Sequence, residues 1–212
     1  PLAQSFLIDK HVKKIESVSL PKIMAKCGYN RATALPIRGG PKELGGAGFY
    51  AFLNTIGAAR VQHFLKNWRT PWEDIGKALR IAMAWTQYTS GVSYPILTNT
   101  SQDLSYVKGR TILSVRKHLE ECQAKIHLDV TYVQHPLRQQ DVAIMDFVNS
   151  QTPYKMTTNQ REKLNCVRMY LGVQYVSQIC TVDGTSFVSG ILDGNDSRLC
   201  YQTKLTKPEQ VN

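Results

Sequence analysis

GGPKELGGAGFY, residues 39–50, places five glycines and a proline in twelve positions directly ahead of an apolar run. Glycine-rich turns of this kind can cradle phosphate, so this is the first place to look for chemistry. A Walker loop needs G-x-x-x-x-G-K-[ST], and no Lys-Ser or Lys-Thr pair follows these glycines. A dinucleotide fingerprint needs a third glycine, where this chain has Phe49, Tyr50 and Ala51 after Gly46-Ala47-Gly48. The preceding ALPIRGGP is too short and proline-broken for a central parallel strand. Two readings remain. The glycines let the chain turn tightly into a helix, or free N–H groups at the helix start receive a backbone phosphate of DNA or RNA.

Hydrolytic and metal chemistry find less. His11, His63, His118, His127 and His135 show no H-x-x-x-H spacing, and no Cys–His pair or serine elbow stands out. Asp193-Gly194-Asn195-Asp196 starts like a calcium loop but lacks the later Glu, which makes it a turn. Two-metal phosphoryl transfer needs clustered carboxylates, and no Asp-Asp pair occurs. Glu73-Asp74 fits the first turn of a helix, and Glu120-Glu121 a solvated helix face. No catalytic residue, metal site or cofactor is therefore expected. Cys27, Cys122, Cys166, Cys180 and Cys200 are odd in number and lack C-x-x-C spacing, so they read as thiols of a reducing, intracellular compartment.

Charge is the more informative signal. The formal balance is +10, with 26 Lys or Arg against 16 Asp or Glu. Residues 1–120 carry 17 basic and 7 acidic side chains, while residues 121–212 carry 9 of each. The whole excess therefore lies in the first part, where it would concentrate a polyanion. Two groupings place aromatics beside cations, Tyr29-Asn30-Arg31 and the run Phe64 to Arg69, as stacking combined with phosphate contact would require. Trp68 and Trp72 also read as core, closing the corner between two helices.

These residues must be carried by helices. Residues 10–30 suggest a short helix broken near Pro21. A helix from Gly46 to Lys66 has Phe49, Phe52, Leu53, Ile56 and Phe64 on one face. Thr70-Pro71-Trp72-Glu73 resembles a capping box opening a helix to about Thr89, with Trp72, Ile75, Leu79, Ala82 and Thr86 on one side. Residues 91–108 read as loop. A helix over 109–124 places Ile112, Val115, Leu119 and Cys122 inward, with Arg110, Arg116 and Lys117 on its other faces. Helices follow over 140–149 and 158–171, the latter opened by Thr157-Thr158-Asn159-Gln160. IHLDVTYVQ, residues 126–134, alternates like a strand, and TVDGTSFVSGIL, turning at Asp183-Gly184, is its predicted partner. No apolar run reaches the roughly 20 residues of a membrane span, and the first residues do not read as a signal peptide. The arbitrary start at Pro1 suggests a piece of a longer chain.

The order of several segments resembles a known family. CGYNRATALP precedes GP-x-x-LGGAGF, followed by HFLKNWRTP, DIGKALRIAMAWTQYTSG and, much later, NCVRMYLGVQYVSQICTVDG. This resembles the region downstream of the polymerase palm in reverse transcriptases of non-LTR-like retrotransposons, over roughly residues 20–190. The resemblance implies a thumb and the segment after it. The family's Tyr-x-Asp-Asp motif and upstream metal-binding Asp are absent, so the catalytic palm would lie N-terminal to Pro1. It also implies a helical thumb that holds the template–primer duplex by its backbone.

The expected fold is α+β and predominantly helical, a packed helical bundle with a small antiparallel β element in the C-terminal half. Residues 1–108 form a basic, thumb-like region, and residues 109–212 a helical region with the β element and a loose tail. The expected function is a non-catalytic fragment of an RNA-directed DNA polymerase that grips RNA or an RNA–DNA duplex. The expected contacts are Lys13, Lys14, Lys22, Arg31, Arg38, Arg60, Lys66 and Arg69. The rival readings are a structural or protein-interaction domain with a basic face, and a nucleotide-dependent enzyme using the glycine stretch.

Overall fold

The periodic apolar positions are realised as seven α-helices in a computed structural model, which describes residues 9–30, 32–136, 138–150, 156–181, 183, 185 and 186. They are α1 (Asp9–Lys26), α2 (Leu35–Gly39), α3 (Phe52–Trp68), α4 (Asp74–Ser90), α5 (Thr111–Glu121), α6 (Ile144–Ser150) and α7 (Thr158–Leu171). Tertiary contacts gather the chain into two compact units, Pro1–Gly76 and Lys77–Asn212. The expected division at 108/109 therefore falls within the second unit. No helix among the described residues is long and apolar enough to cross a membrane.

In the first unit α1 packs on α3. Val12, Leu20 and Met24 are buried from α1, and Ile56, Phe64 and Trp68 from α3. The Phe64 and Trp68 rings stack with centroids 5.6 Å apart. Pro21 does not break α1, contrary to the sequence reading. It forfeits only the bond to the Ser17 carbonyl, and burial of Leu20 and Met24 on either side carries the helix through. The expected capping box at Thr70 is also replaced. Residues 70–73 form a turn in which Glu73 N–H donates to the Thr70 carbonyl at 3.1 Å, and α4 starts at Asp74. Trp68 is core, as predicted, but Trp72 is 69% exposed.

The second unit is built around an irregular segment. Val92, Ile96, Leu97, Leu104, Tyr106 and Val107 are all buried, although residues 91–108 looked like a surface loop. A buried irregular backbone leaves carbonyls that need donors, and side chains from distant elements supply them. Arg116 of α5 donates to the Ile96, Asn99 and Gln102 carbonyls. Gln87 of α4 bonds both the Tyr94 carbonyl and the Ile96 N–H. From α7, Asn165 reaches the Thr89 carbonyl and Arg168 the Tyr88 and Val173 carbonyls. Burial pushes the Tyr106 hydroxyl up to about 12, so it stays protonated and donates to the Ser90 carbonyl at 2.8 Å. Arg116 was placed on an outer helix face by pattern; it is 5% exposed.

α7 follows its sequence signals. Thr157 and Gln160 complete a reciprocal capping box, and Gly172 ends the helix in the left-handed region at φ 68°.

The chain is predominantly helical, but the antiparallel β element is not formed among the described residues. An isolated β-bridge joins Ala143 to Tyr175. Residues 126–134 are used differently. Ile126 N–H donates to the Leu97 carbonyl, and the Tyr175 hydroxyl takes the Gln134 carbonyl. The alternating Ile126, Leu128, Val130 and Tyr132 line a groove of about 140 Å³ with Met83 and Leu97. Near the predicted turn, the Thr181 and Thr185 hydroxyls close on the Asp183 carboxylate. Gly184, residues 187–192 and the turn predicted at 193–196 lie outside the described residues.

Candidate nucleic-acid interface

The glycine stretch settles its own question through its hydrogen bonds. After α2 the chain makes a 3₁₀ turn over Lys42–Leu44, and Gly45 then takes φ 80°. The backbone folds back on α2. Gly45 N–H donates to the Lys42 carbonyl, Gly46 to Pro41, Ala47 to Ile37, Gly48 to Gly40 and Phe49 to Arg38, all within 3.0 Å. No N–H from 45 to 49 is left for a phosphate. Gly46 is glycine for packing: a Cβ there would lie 2.1 Å from the Gly40 carbonyl oxygen. Helix α3 begins at Phe52, six residues beyond Gly46. These five N–H groups are therefore taken by carbonyls and do not form a phosphate cradle. The stretch is a self-bonded turn that delivers the chain to α3.

A second constellation went unnoticed in the sequence. On α5, His118 Nε2 lies 3.6 Å from Cys122 Sγ, and His118 Nδ1 lies 3.8 Å from a Glu121 oxygen. The order of thiol, imidazole and carboxylate resembles a nucleophilic triad, and the signal was the i, i+4 spacing. Its position works against that chemistry. The negative end of a helix disfavours a thiolate. The Cys122, Gln123 and Ala124 N–H groups, which would stabilise an oxyanion, already donate to the His118, Glu120 and Leu119 carbonyls. Among the described residues no group of three His, Cys, Asp or Glu side chains is placed to hold a metal.

The predicted phosphate contacts all fall in the first unit. Lys13, Lys14 and Lys22 are exposed on α1, Lys66 is exposed in the last turn of α3, and Arg69 is exposed just past it. Among the described residues none of these five side chains has a carboxylate partner. Arg38 and Arg60 are half-buried, and the Arg38 Nε is buried with no hydrogen-bond partner among the described residues. Arg31 lies outside the described residues.

Helical geometry sorts them into groups. At about 100° per residue, Lys14, Lys22 and Lys26 share an arc of about 120° on α1, whereas Lys13 points about 180° from Lys22. Lys66 and Arg69 are i, i+3 neighbours, and Arg60 sits on a different face from Lys66. The exposed cations thus form one lysine arc on α1, with Lys13 opposite it, and one pair at the end of α3.

The second unit treats its arginines differently. Arg116, Arg161 and Arg168 are 5%, 7% and 2% exposed. Arg161 is paired with Asp103 at 2.5 Å, and Arg168 packs over the Tyr88 ring. Burial pulls the proton affinities of Arg116 and Arg168 down from the usual guanidinium range. These cations are spent on the interior. Residues 1–76, by contrast, carry 11 basic and 5 acidic side chains, and Lys10, Lys13, Lys14, Lys22, Lys26, Lys42, Lys66 and Arg69 are all exposed.

No family model, curated protein or solved structure matches the chain.

Proposed function

We propose that the chain is a non-catalytic, nucleic-acid-gripping segment of a retroelement reverse transcriptase. It follows the polymerase palm and holds an RNA or RNA–DNA template–primer duplex by its phosphates. The remainder of the polymerase, N-terminal to Pro1, supplies the metal-binding Asp residues, and this segment takes no cofactor of its own. The carrying observation is the charge of the first unit: residues 1–76 carry 11 basic and 5 acidic side chains, and Lys10, Lys13, Lys14, Lys22, Lys26, Lys42, Lys66 and Arg69 are all exposed. A reducing intracellular setting accords with the free thiols of Cys27, Cys122, Cys166 and Cys180.

Fluorescence anisotropy with a blunt RNA–DNA duplex tests this reading. Four phosphate contacts, from Lys14, Lys22, Lys66 and Arg69, give a slope of log affinity against log salt of roughly −3 to −4. Reversing Lys66 and Arg69 to Glu reduces that slope by about 2 and weakens binding to every duplex sequence alike. Affinity that ignores salt, or no binding at low salt, sinks the reading.

One observation favours the alternative of a protein-interaction domain with a basic face. On α1, Ile15 and Val18 are 46% and 56% exposed and fall within the same arc as Lys14 and Lys22. On that reading, the charge-neutral pair Ile15→Ser with Val18→Ser abolishes capture of an acidic partner and leaves the affinity for duplex unchanged.

A further inference from the structure

Trp72 is the largest side chain that the first unit leaves in solvent, 69% exposed, whereas Trp68 four residues earlier is 6% exposed and stacked on Phe64. The turn carrying it is held at both ends. On the α3 side, Asn67 is buried; its amide donates to the His63 carbonyl at 2.6 Å, and its own carbonyl accepts the Thr70 N–H and hydroxyl. On the α4 side, Gly76 packs so closely that a Cβ would lie 2.1 Å from the Thr70 carbonyl oxygen and 2.8 Å from that of Asn67. The indole is therefore presented to water by a fixed backbone. Lys66 and Arg69, both exposed and without a carboxylate partner among the described residues, precede it in the chain by six and three residues. Glu73 and Asp74 follow it immediately.

We propose that Trp72 is a stacking platform for an unpaired base of a nucleic-acid strand whose phosphates are held by Lys66 and Arg69. The proposal rests on the nucleic-acid reading above and extends it from duplex to the single strand leaving the duplex. An isolated apolar contact would need no cations beside it. A rigid, exposed indole three residues past Arg69 and six past Lys66 offers a base its π-face, and the two cations offer the adjoining phosphates their counter-charge.

Three probes test it: a blunt RNA–DNA duplex, the same duplex with a short single-stranded extension, and that extension made abasic. Stacking of one base is worth about five- to a hundredfold in affinity. The extension with bases should bind at least about fivefold more tightly than the abasic one. Trp72→Ala should remove that gain and leave blunt-duplex affinity unchanged, and Trp72→Phe should keep most of it. Circular dichroism of Trp72→Ala should match the parent, because the ring is exposed. Equal binding of the two extensions overturns the inference while the duplex grip stands, as does a gain that survives Trp72→Ala. A gain seen without blunt-duplex binding sinks the grip and keeps the platform. If Trp72→Ala instead dissolves self-association in sedimentation and leaves the probes unaffected, the ring serves a protein contact and the inference falls.

Discussion

Replacing Arg116 by Met tests the idea that the second unit is assembled around side-chain donors. Met retains most of the aliphatic volume and removes the guanidinium. Three carbonyls then lose their partner, those of Ile96, Asn99 and Gln102. Ile96 is 0% exposed, so its carbonyl has no water to turn to, and a buried unsatisfied carbonyl costs about 1–3 kcal/mol. Asn99 and Gln102 are half-buried, so water restores part of what they lose. Removing a desolvated charge offsets some of the total. The net loss is about 3 kcal/mol, a large share of the roughly 5–15 kcal/mol that holds a domain folded. A fall in Tm of about 10 °C follows for a unit of this size. Urea unfolding followed by far-UV circular dichroism is the assay, with an unchanged m value as the check that the same surface unfolds. Arg116→Lys should recover less than half of the loss, because an ammonium cannot span the three acceptors. Lys125→Met, at an exposed site past α5, should cost less than about 0.5 kcal/mol. An Arg116→Met protein within about 1 kcal/mol of the parent would refute the reasoning.

Two further outcomes are expected. Gly46→Ala should destabilise the first unit by about 3 kcal/mol or more, since the new methyl meets backbone 2.1 Å away. Gly45→Ala meets no atom within 4 Å and carries only the strain of φ 80°, about 1–2 kcal/mol; thermal melts that rank the two the other way would contradict the packing. For Asp103, burial pushes the carboxyl up, but hydrogen bonds from Arg161 and Ser105 outweigh it and hold the group below its ordinary value. Its stabilising effect is thus present above the unfolded value of about 4 and lost as pH falls through the folded value. Asp103→Asn should flatten the acid limb of the urea midpoint plotted against pH, and an unchanged limb would deny the pairing any role.

Local signals in the sequence predicted local structure well. The Thr157–Gln160 pattern placed the start of α7, and the apolar spacing of Ile112, Val115 and Leu119 gave α5 its buried face. These features depend on neighbours three or four residues away, which a single sequence displays. The outer-face reading of Arg116 fails because its burial depends on carbonyls 14 to 20 residues distant, just as burial of Arg168 depends on carbonyls up to 80 residues away. No periodicity encodes such partners. Pro21 and Trp72 failed for a related reason: one was overruled by tertiary burial, the other left outside by the turn at residues 70–73. Of the candidate site, exposure of the lysines followed from residue type, but their sorting into an arc and a pair needed the helix boundaries.

The dependence of residues 91–108 on donors from α4, α5 and α7 governs how the protein can be taken apart. A truncation after Lys108 would sever Arg116 from the Ile96 carbonyl and Asn165 from that of Thr89, leaving each fragment with the half of the lock that has no key. Such long-range closure makes for slow, all-at-once assembly. An expression boundary placed upstream of Lys77 keeps the whole lock in one polypeptide.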